Sequence, residues 1–110
     1  MARYMAIIEA SPDAFKGLIQ TPEDRREKTK PLFSATGMTL EHYWFGVGSN
    51  LLYIVMSGPD DDVTLEAITM LVHSSGISQS VNVIKLMTSK EAVASMHKAR
   101  ELAYSPPTAN

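Results

Sequence analysis

The chain has 110 residues, of which 45% are hydrophobic and 20% are charged, and its formal net charge is −2. This size is typical of one globular domain, and we expect it over residues 1–104, followed by a flexible tail. The nearly neutral balance argues against nucleic acid or an anionic membrane as a partner. The absence of cysteine excludes a disulfide framework and a thiolate nucleophile. No apolar run has the length of a membrane span or a signal-peptide core, so we expect a cytoplasmic protein.

Residues 3–9 and 12–19 are predicted to form a strand and a short helix. The first segment, RYMAIIE, is rich in strand-forming residues and ends at a Ser-Pro pair that breaks regular structure. Pro12 suits the first position of a helix, and Ser11 suits its N-cap. Helical spacing then places three apolar side chains on one face, namely Phe15, Leu18 and Ile19.

A second helix is expected between residues 21 and 37. Thr21 and Pro22 suit its N-cap and first position. Pro31 interrupts the helical pattern, and Gly37 suits the left-handed residue that ends a helix. The run RREKTK is typical of a solvated helix face. It could alternatively form a weak anion-binding patch, in which acidic neighbours offset the charge of Arg25, Arg26, Lys28 and Lys30.

Residues 38–45 and 51–56 are predicted to form a β-hairpin around a glycine-rich turn. Both strands carry apolar side chains on both faces, unlike a sheet with one solvated face. In the first strand, simple alternation places Met38, Leu40, His42 and Trp44 on one face and Thr39, Glu41, Tyr43 and Phe45 on the other. Both faces of the hairpin are therefore expected to need burial.

The last part of the chain is expected to add a helix, a strand and another helix. The helix, ending near residue 76, begins with three adjacent aspartates, Asp60 to Asp62, which are typical of capping groups and less typical of a cation site. A strand follows over residues 79–87. Thr88 and Glu91 have the spacing of a capping box before the final helix, residues 89–103. The proline-containing segment 105–110 is expected to be a flexible tail.

The resulting order, β-α-β-β-α-β with an extra C-terminal helix, predicts a ferredoxin-like α+β fold with an antiparallel four-stranded sheet. The two main helices of this fold cover one face of the sheet. The sequence supplies apolar side chains to the other face as well, and a monomer that exposes such a patch is unusual. We therefore expect a homodimer that stacks the two open sheet faces against each other.

Three segments of the chain resemble the GYD-domain family. They are ARYM at the start, SPDAFKGLIQTPEDRRE after it, and the YWFG and YIV strands of the hairpin, which PDD follows. The resemblance covers about residues 2–100 and implies the dimeric α+β barrel group of ferredoxin-like folds. The family takes its name from Gly-Tyr-Asp at the hairpin turn, where this chain has Gly48-Ser49-Asn50. Asparagine still suits a turn, but the negative charge and the aromatic ring are both missing.

The residues that could hold a ligand are His42, Trp44, Tyr53 and Tyr4. A histidine among apolar and aromatic strand neighbours could line a pocket between the sheet and the helices. Relatives of the dimeric α+β barrel group include oxygenases and isomerases that act on aromatic compounds without metal or cofactor. By that resemblance, His42 could be a general base, with Tyr53 or Tyr4 orienting a phenol.

Two functions are therefore open at the level of the sequence. One is a non-catalytic domain that binds a small molecule or acts as an accessory protein, in which His42 and the aromatic residues are structural. The other is a cofactor-independent oxygenase or isomerase for an aromatic or enolisable molecule, which requires His42 to face a solvent-reached cavity. The spacing of the three histidines matches no metal-binding motif, although His42 and His73 could converge in space. No cofactor motif is present either, and we predict neither metal nor cofactor.

Overall fold

The computed structural model describes residues 1–107. Its strands are β1 (Ala2–Ala10), β2 (Thr39–Phe45), β3 (Leu51–Gly58) and β4 (Ser78–Leu86), and its helices are α1 (Pro12–Gln20), α2 (Arg25–Ala35), α3 (Asp62–Ser74) and α4 (Ser89–Glu101). The four strands form one sheet in the order β2-β3-β1-β4, and each adjacent pair is antiparallel. The predicted α+β ferredoxin-like fold with an added C-terminal helix is confirmed.

The core lies between one face of the sheet and the helices. In β1 the buried residues alternate with less buried ones, and the buried set includes Tyr4, Ala6 and Ile8. The ladder aligns these three residues with Met56, Ile54 and Leu52 of β3, so all six point to the helix side. Phe33 of α2 and Ile68 of α3 pack against them. This helix-facing side of the sheet carries the main apolar cluster of the chain.

Side-chain caps explain where the first two helices begin. The hydroxyl of Ser11 accepts a hydrogen bond from Ala14 N at 3.3 Å, as predicted for α1. The predicted start of α2 at Thr21 is wrong, because the Thr21 N–H donates to Gly17 O and completes the end of α1. Asp24 caps α2 instead, with its carboxylate accepting from Arg26 N at 3.0 Å.

Strand β2 departs from simple alternation. Leu40 pairs with Met56 and His42 with Val55, so two successive residues of β3 face three residues of β2, and Glu41 forms a bulge. Leu40 therefore stays on the helix side while His42 moves to the other face. Two arginine contacts hold the bulge. Arg3 Nε donates to the Glu41 carboxylate at 2.9 Å, and Arg26 Nη2 donates to the Glu41 carbonyl at 3.3 Å.

The second face of the sheet, which we call the open face, has two central rows of mainly apolar side chains. The strand register makes these rows Trp44-Tyr53-Ile7-Asn82 and His42-Val55-Met5-Ile84. Polar groups flank them, including the Arg3–Glu41 ion pair at one end and Glu9 with Ser80 at the other. Trp44 and Ile84 are exposed in the single chain. The expectation that both faces carry apolar side chains is confirmed.

Helix α4 does not join the core. Thr88 and Glu91 form the predicted capping box, but α4 buries none of its residues, and Met96 is 62% exposed. The radius of gyration is 17.7 Å, against about 13 Å for a compact chain of this length. Of the predicted tail, residues 105–107 have no regular secondary structure and residues 108–110 lie outside the described part. Within residues 1–107, no helix combines the length and apolar character of a membrane span.

Candidate ligand-binding cavity

A cavity of about 440 Å³ lies between the helix-facing side of the sheet and helices α1, α2 and α3. This volume falls in the range of small-molecule sites. The cavity is open to solvent on one side, and apolar side chains form most of its wall. The main contributors are Ile8 and Leu52 from the sheet, Phe15 and Leu18 from α1, Leu32 and Phe33 from α2, and Leu71 and Val72 from α3.

Small residues leave this space unfilled. Ala10, Ala14 and Gly17 line the cavity, and a Cβ added to Gly17 would meet no atom within 4 Å. Helix α1 accordingly buries none of its residues. Phe15 and Leu18 point to the cavity as their spacing predicts, but Ile19 is 78% exposed, so that part of the predicted apolar face is wrong. Helix α1 therefore packs less tightly on the sheet than α2 and α3, which each bury a core residue.

The polar groups at the cavity include Arg25, Glu23 and Tyr43. Arg25 Nη1 lies 3.5 Å from a carboxylate oxygen of Glu23, with both side chains about one-quarter exposed. Thr29 also lines the cavity, but its hydroxyl donates to Arg25 O at 2.7 Å within α2. The Arg25 guanidinium has five N–H donors and no acceptor. The N–H groups that do not point to Glu23 can donate hydrogen bonds to a ligand.

Tyr43 presents its phenol at the same end of the cavity. Burial raises the pKa of Tyr43 above its ordinary value, and hydrogen bonding from Arg25 opposes that rise. The phenol is therefore protonated at neutral pH and remains a hydrogen-bond donor. Its ring lies close to that of Phe45, with the centroids 5.9 Å apart.

Three of the four predicted site residues come together, but on the open face. The rings of His42 and Trp44 stack with centroids 4.4 Å apart, and Trp44 pairs with Tyr53 across the β2–β3 ladder. The cavity lies on the opposite side of the sheet. The expectation that His42 lines a pocket between the sheet and the helices is therefore wrong. His42 lies on the open face because the bulge at Glu41 reverses the alternation of β2 after Leu40.

Tyr4, the fourth predicted residue, is buried in the core on the helix side. Its hydroxyl donates to the Asp60 carboxylate at 3.1 Å, and Lys85 Nζ donates to the other oxygen at 2.9 Å. Burial, reinforced by the bond to Asp60, raises the pKa of Tyr4. Hydrogen bonds from Lys85 and from Tyr4 lower the pKa of Asp60. Tyr4 thus holds the start of α3 to the sheet, apart from His42.

The aspartate run and the remaining histidines have structural contacts. Asp61 caps α3 by accepting from Val63 N and Thr64 N, which is the capping role predicted for this run. His73, near the end of α3, lies 3.4 Å from the hydroxyl of Ser78, the first residue of β4, so it is at the opposite edge of the sheet from His42. The two histidines do not converge. Among residues 1–107, no cluster of three metal-ligating side chains occurs.

The hairpin turn that differs from the GYD signature has a structural role. Gly48 has a positive φ of 80°, which favours glycine. The Ser49 hydroxyl accepts from Leu51 N at 3.0 Å. Asn50 Nδ2 lies 3.4 Å from both Glu9 Oε1 and Ala10 O. An amide at position 50 can donate to these acceptors, whereas a carboxylate there would face the Glu9 carboxylate.

The sequence did not reveal the polar end of the cavity. Arg25 sits in the polar run RREKTK, where it resembles any solvated basic residue, and its neighbours have other partners. Lys30 pairs with Glu27, and Arg26 bonds to the backbone of β2. Simple alternation places Tyr43 on the face opposite Leu40, whereas the bulge puts both on the helix side. The only local signal is the pair of predicted helix starts at Ser11 and Thr21, which separates α1 from α2. The observed cap of α2 is Asp24, and Glu23 and Arg25 on either side of it line the cavity.

Comparison with protein families gives a match to the GYD domain over residues 4–96. The matched segment begins in β1 and ends within α4, so it includes every element that lines the cavity and every strand of the open face. Comparison with curated proteins gives no match.

Proposed function

We propose that this chain, which belongs to the GYD-domain family, is a non-catalytic small-molecule-binding protein that assembles as a homodimer. The observation that carries the first part is the cavity of about 440 Å³. It has an apolar wall and a few polar groups at one end, which is the usual composition of a ligand site. A void of this size beneath three helices would otherwise lower stability, because its lining loses packing contacts.

The homodimer is supported by the open face. Its two central rows are mainly apolar and its ends are polar, which matches the apolar centre and polar rim of protein interfaces. If about 1,000 Å² of apolar surface were buried there, the gross gain would be about 25 kcal/mol before the costs of association. Light scattering on the purified protein tests this directly, and a monomer at micromolar concentration contradicts it.

The predicted site residues on the open face bear on the proposed homodimer. His42, Trp44 and Tyr53 remain candidate ligand contacts only at the subunit interface, since the sheet separates them from the cavity. The oxygenase or isomerase alternative relied on His42 as the general base in the cavity, and His42 lies on the other side of the sheet. We keep the expected cytoplasmic location as part of the proposal, and cell fractionation tests it.

The cavity is tested by filling it from α1. Gly17 lines the cavity, and a Cβ added to it meets no atom within 4 Å, so the leucine of Gly17→Leu should reach into the cavity while the chain remains folded. Gly17→Ala is the matched control. Like leucine, alanine raises the helix propensity by about 1 kcal/mol over glycine, but it adds only one methyl group to the cavity. Naphthalene is a suitable neutral aromatic probe, and its binding can be measured by isothermal titration calorimetry.

We expect naphthalene to bind the wild type and Gly17→Ala with similar affinity and Gly17→Leu at least about 10-fold more weakly, because the leucine takes the space of the probe. Both variants should melt at or above the wild-type temperature. Equal binding to all three proteins would place the probe elsewhere, and no binding to any of them would refute the cavity as a ligand site.

A further inference from the structure

We propose that the cavity selects a neutral aromatic molecule with a carbonyl group, held by hydrogen bonds from Arg25 and Tyr43. This inference rests on the proposed function, since it names the chemical class of the ligand in the same cavity. It depends on the donors at the polar end, the charges around them and the shape of the apolar wall.

The two groups at the polar end both offer donors. Arg25 contacts Glu23 through one nitrogen at 3.5 Å, which is longer than a normal hydrogen bond, and it also hydrogen-bonds to the Tyr43 phenol. A guanidinium has five N–H donors, so donors remain for a ligand. The Tyr43 phenol stays protonated because burial raises its pKa. A guanidinium and a phenol that face the same space can both donate to one oxygen atom. A carbonyl oxygen, with two lone pairs, accepts two such bonds.

The charges around the cavity argue against an anionic ligand. Asp13 and Glu23 both line it, together with the single guanidinium of Arg25, so its formal charge is −1. A carboxylate ligand would have to displace Glu23 from Arg25, and it would add a second negative charge to a cavity whose lining is already net negative. The two carboxylates would attract a cationic ligand, but such a ligand would have to leave water for a mainly apolar wall and lie beside the Arg25 guanidinium at the polar end, and both cost free energy. A neutral acceptor avoids both costs.

The wall favours a flat apolar body. Phe15 and Phe33 contribute rings from α1 and α2, and Tyr43 contributes a third from β2. Aromatic rings bury a large area with defined geometry and prefer stacked or edge-to-face neighbours. The cavity of about 440 Å³ has room for a molecule of two fused rings with a small substituent.

A matched series of four compounds tests the selectivity: naphthalene, 2-acetylnaphthalene, 2-naphthoate and 2-naphthylmethylammonium. One or two net hydrogen bonds should make the ketone about 3- to 10-fold tighter than naphthalene. The carboxylate and the ammonium compound should bind more weakly than the ketone. Dissociation constants from isothermal titration calorimetry of the whole protein give these ratios.

Variants identify the donors. Arg25→Met should bring the ketone-to-naphthalene ratio close to one while naphthalene itself binds within about 2-fold of the wild type. Tyr43→Phe keeps the ring and its volume and should reduce the ratio in part, so it keeps the test informative if Arg25→Met does not fold. Lys28→Met, at an exposed position of the same helix, is the control and should leave the ratio unchanged.

The binding results separate the carbonyl ligand, the neutral class and the cavity itself. Naphthalene binding without any preference for the ketone, or a preference that both variants retain, refutes the assignment of a carbonyl ligand and leaves the cavity proposal intact. Tighter binding of the carboxylate or the ammonium compound refutes the neutral class. Failure of all four compounds to bind refutes the cavity proposal, and the inference falls with it.

Discussion

The exposed tryptophan of β2 gives the sharpest test of the homodimer. Trp44 is 53% exposed in the single chain, and a fully exposed tryptophan offers about 250 Å², so about 130 Å² remains to be buried in a dimer. At about 25 cal/mol per Å² this is about 3 kcal/mol for each copy, or about 6 kcal/mol gross for a two-fold contact. If only a third of that gain survives the costs of association, Trp44→Ala weakens dimerisation about 30-fold or more.

The neighbouring residue supplies the control. Phe45 is 46% exposed but pairs with Leu52 on the helix side, so Phe45→Ala removes an aromatic ring of similar exposure from the other face. Sedimentation equilibrium over a range of protein concentrations should show a weaker dimer for Trp44→Ala and a dissociation constant within about 2-fold of wild type for Phe45→Ala. Equal weakening by both substitutions would show that the open face is not the interface.

Two further substitutions test electrostatic details of the sheet. Hydrogen bonding from Arg3 lowers the pKa of Glu41, so this carboxylate stabilises the folded state above its unfolded pKa of about 4.3 and loses that effect as the pH falls through the folded pKa. Glu41→Gln should therefore be less stable at neutral pH and equal to wild type in strong acid, as measured by urea unfolding across pH. Asn50→Asp restores the carboxylate of the family signature but places it against Glu9, and we expect a loss of about 1 kcal/mol in the same assay. The double variant with Glu9→Gln should recover most of it, and a loss that persists in that background would contradict the repulsion.

The elements of this fold could be predicted because their signals are local. The Ser11 and Asp61 caps, the Thr88 capping box and the left-handed Gly37 each depend on residues within a few positions, and the order of elements then fixes the topology. The start of α2 is ambiguous in the sequence, because Thr21-Pro22 and Asp24 are both suitable caps. Only the bond of Thr21 N–H back to Gly17 decides between them.

The site could not be predicted in the same way, because it depends on contacts between distant elements. The cavity has walls from β1, β2, β3 and three helices, and its size follows from small residues whose effect appears only after the helices are placed. His42 illustrates the difference. Its face depends on the bulge at Glu41, which is held by Arg3 from β1 and Arg26 from α2, and neither contact leaves a trace in the alternation of β2.

The bulge also determines how the two faces of the sheet divide their roles. Without it, Leu40 and Trp44 would share a face, and the aromatic residue most exposed on β2 would compete for space with the helix layer. With it, β2 buries Leu40 and turns Tyr43 toward the cavity while His42 and Trp44 join the open face. One inserted residue thus gives the cavity its phenol and the open face its stacked rings. The proposed ligand site and the proposed dimer interface thus lie on opposite sides of the same strand, so Tyr43 and Trp44 can be tested independently although they are adjacent in sequence.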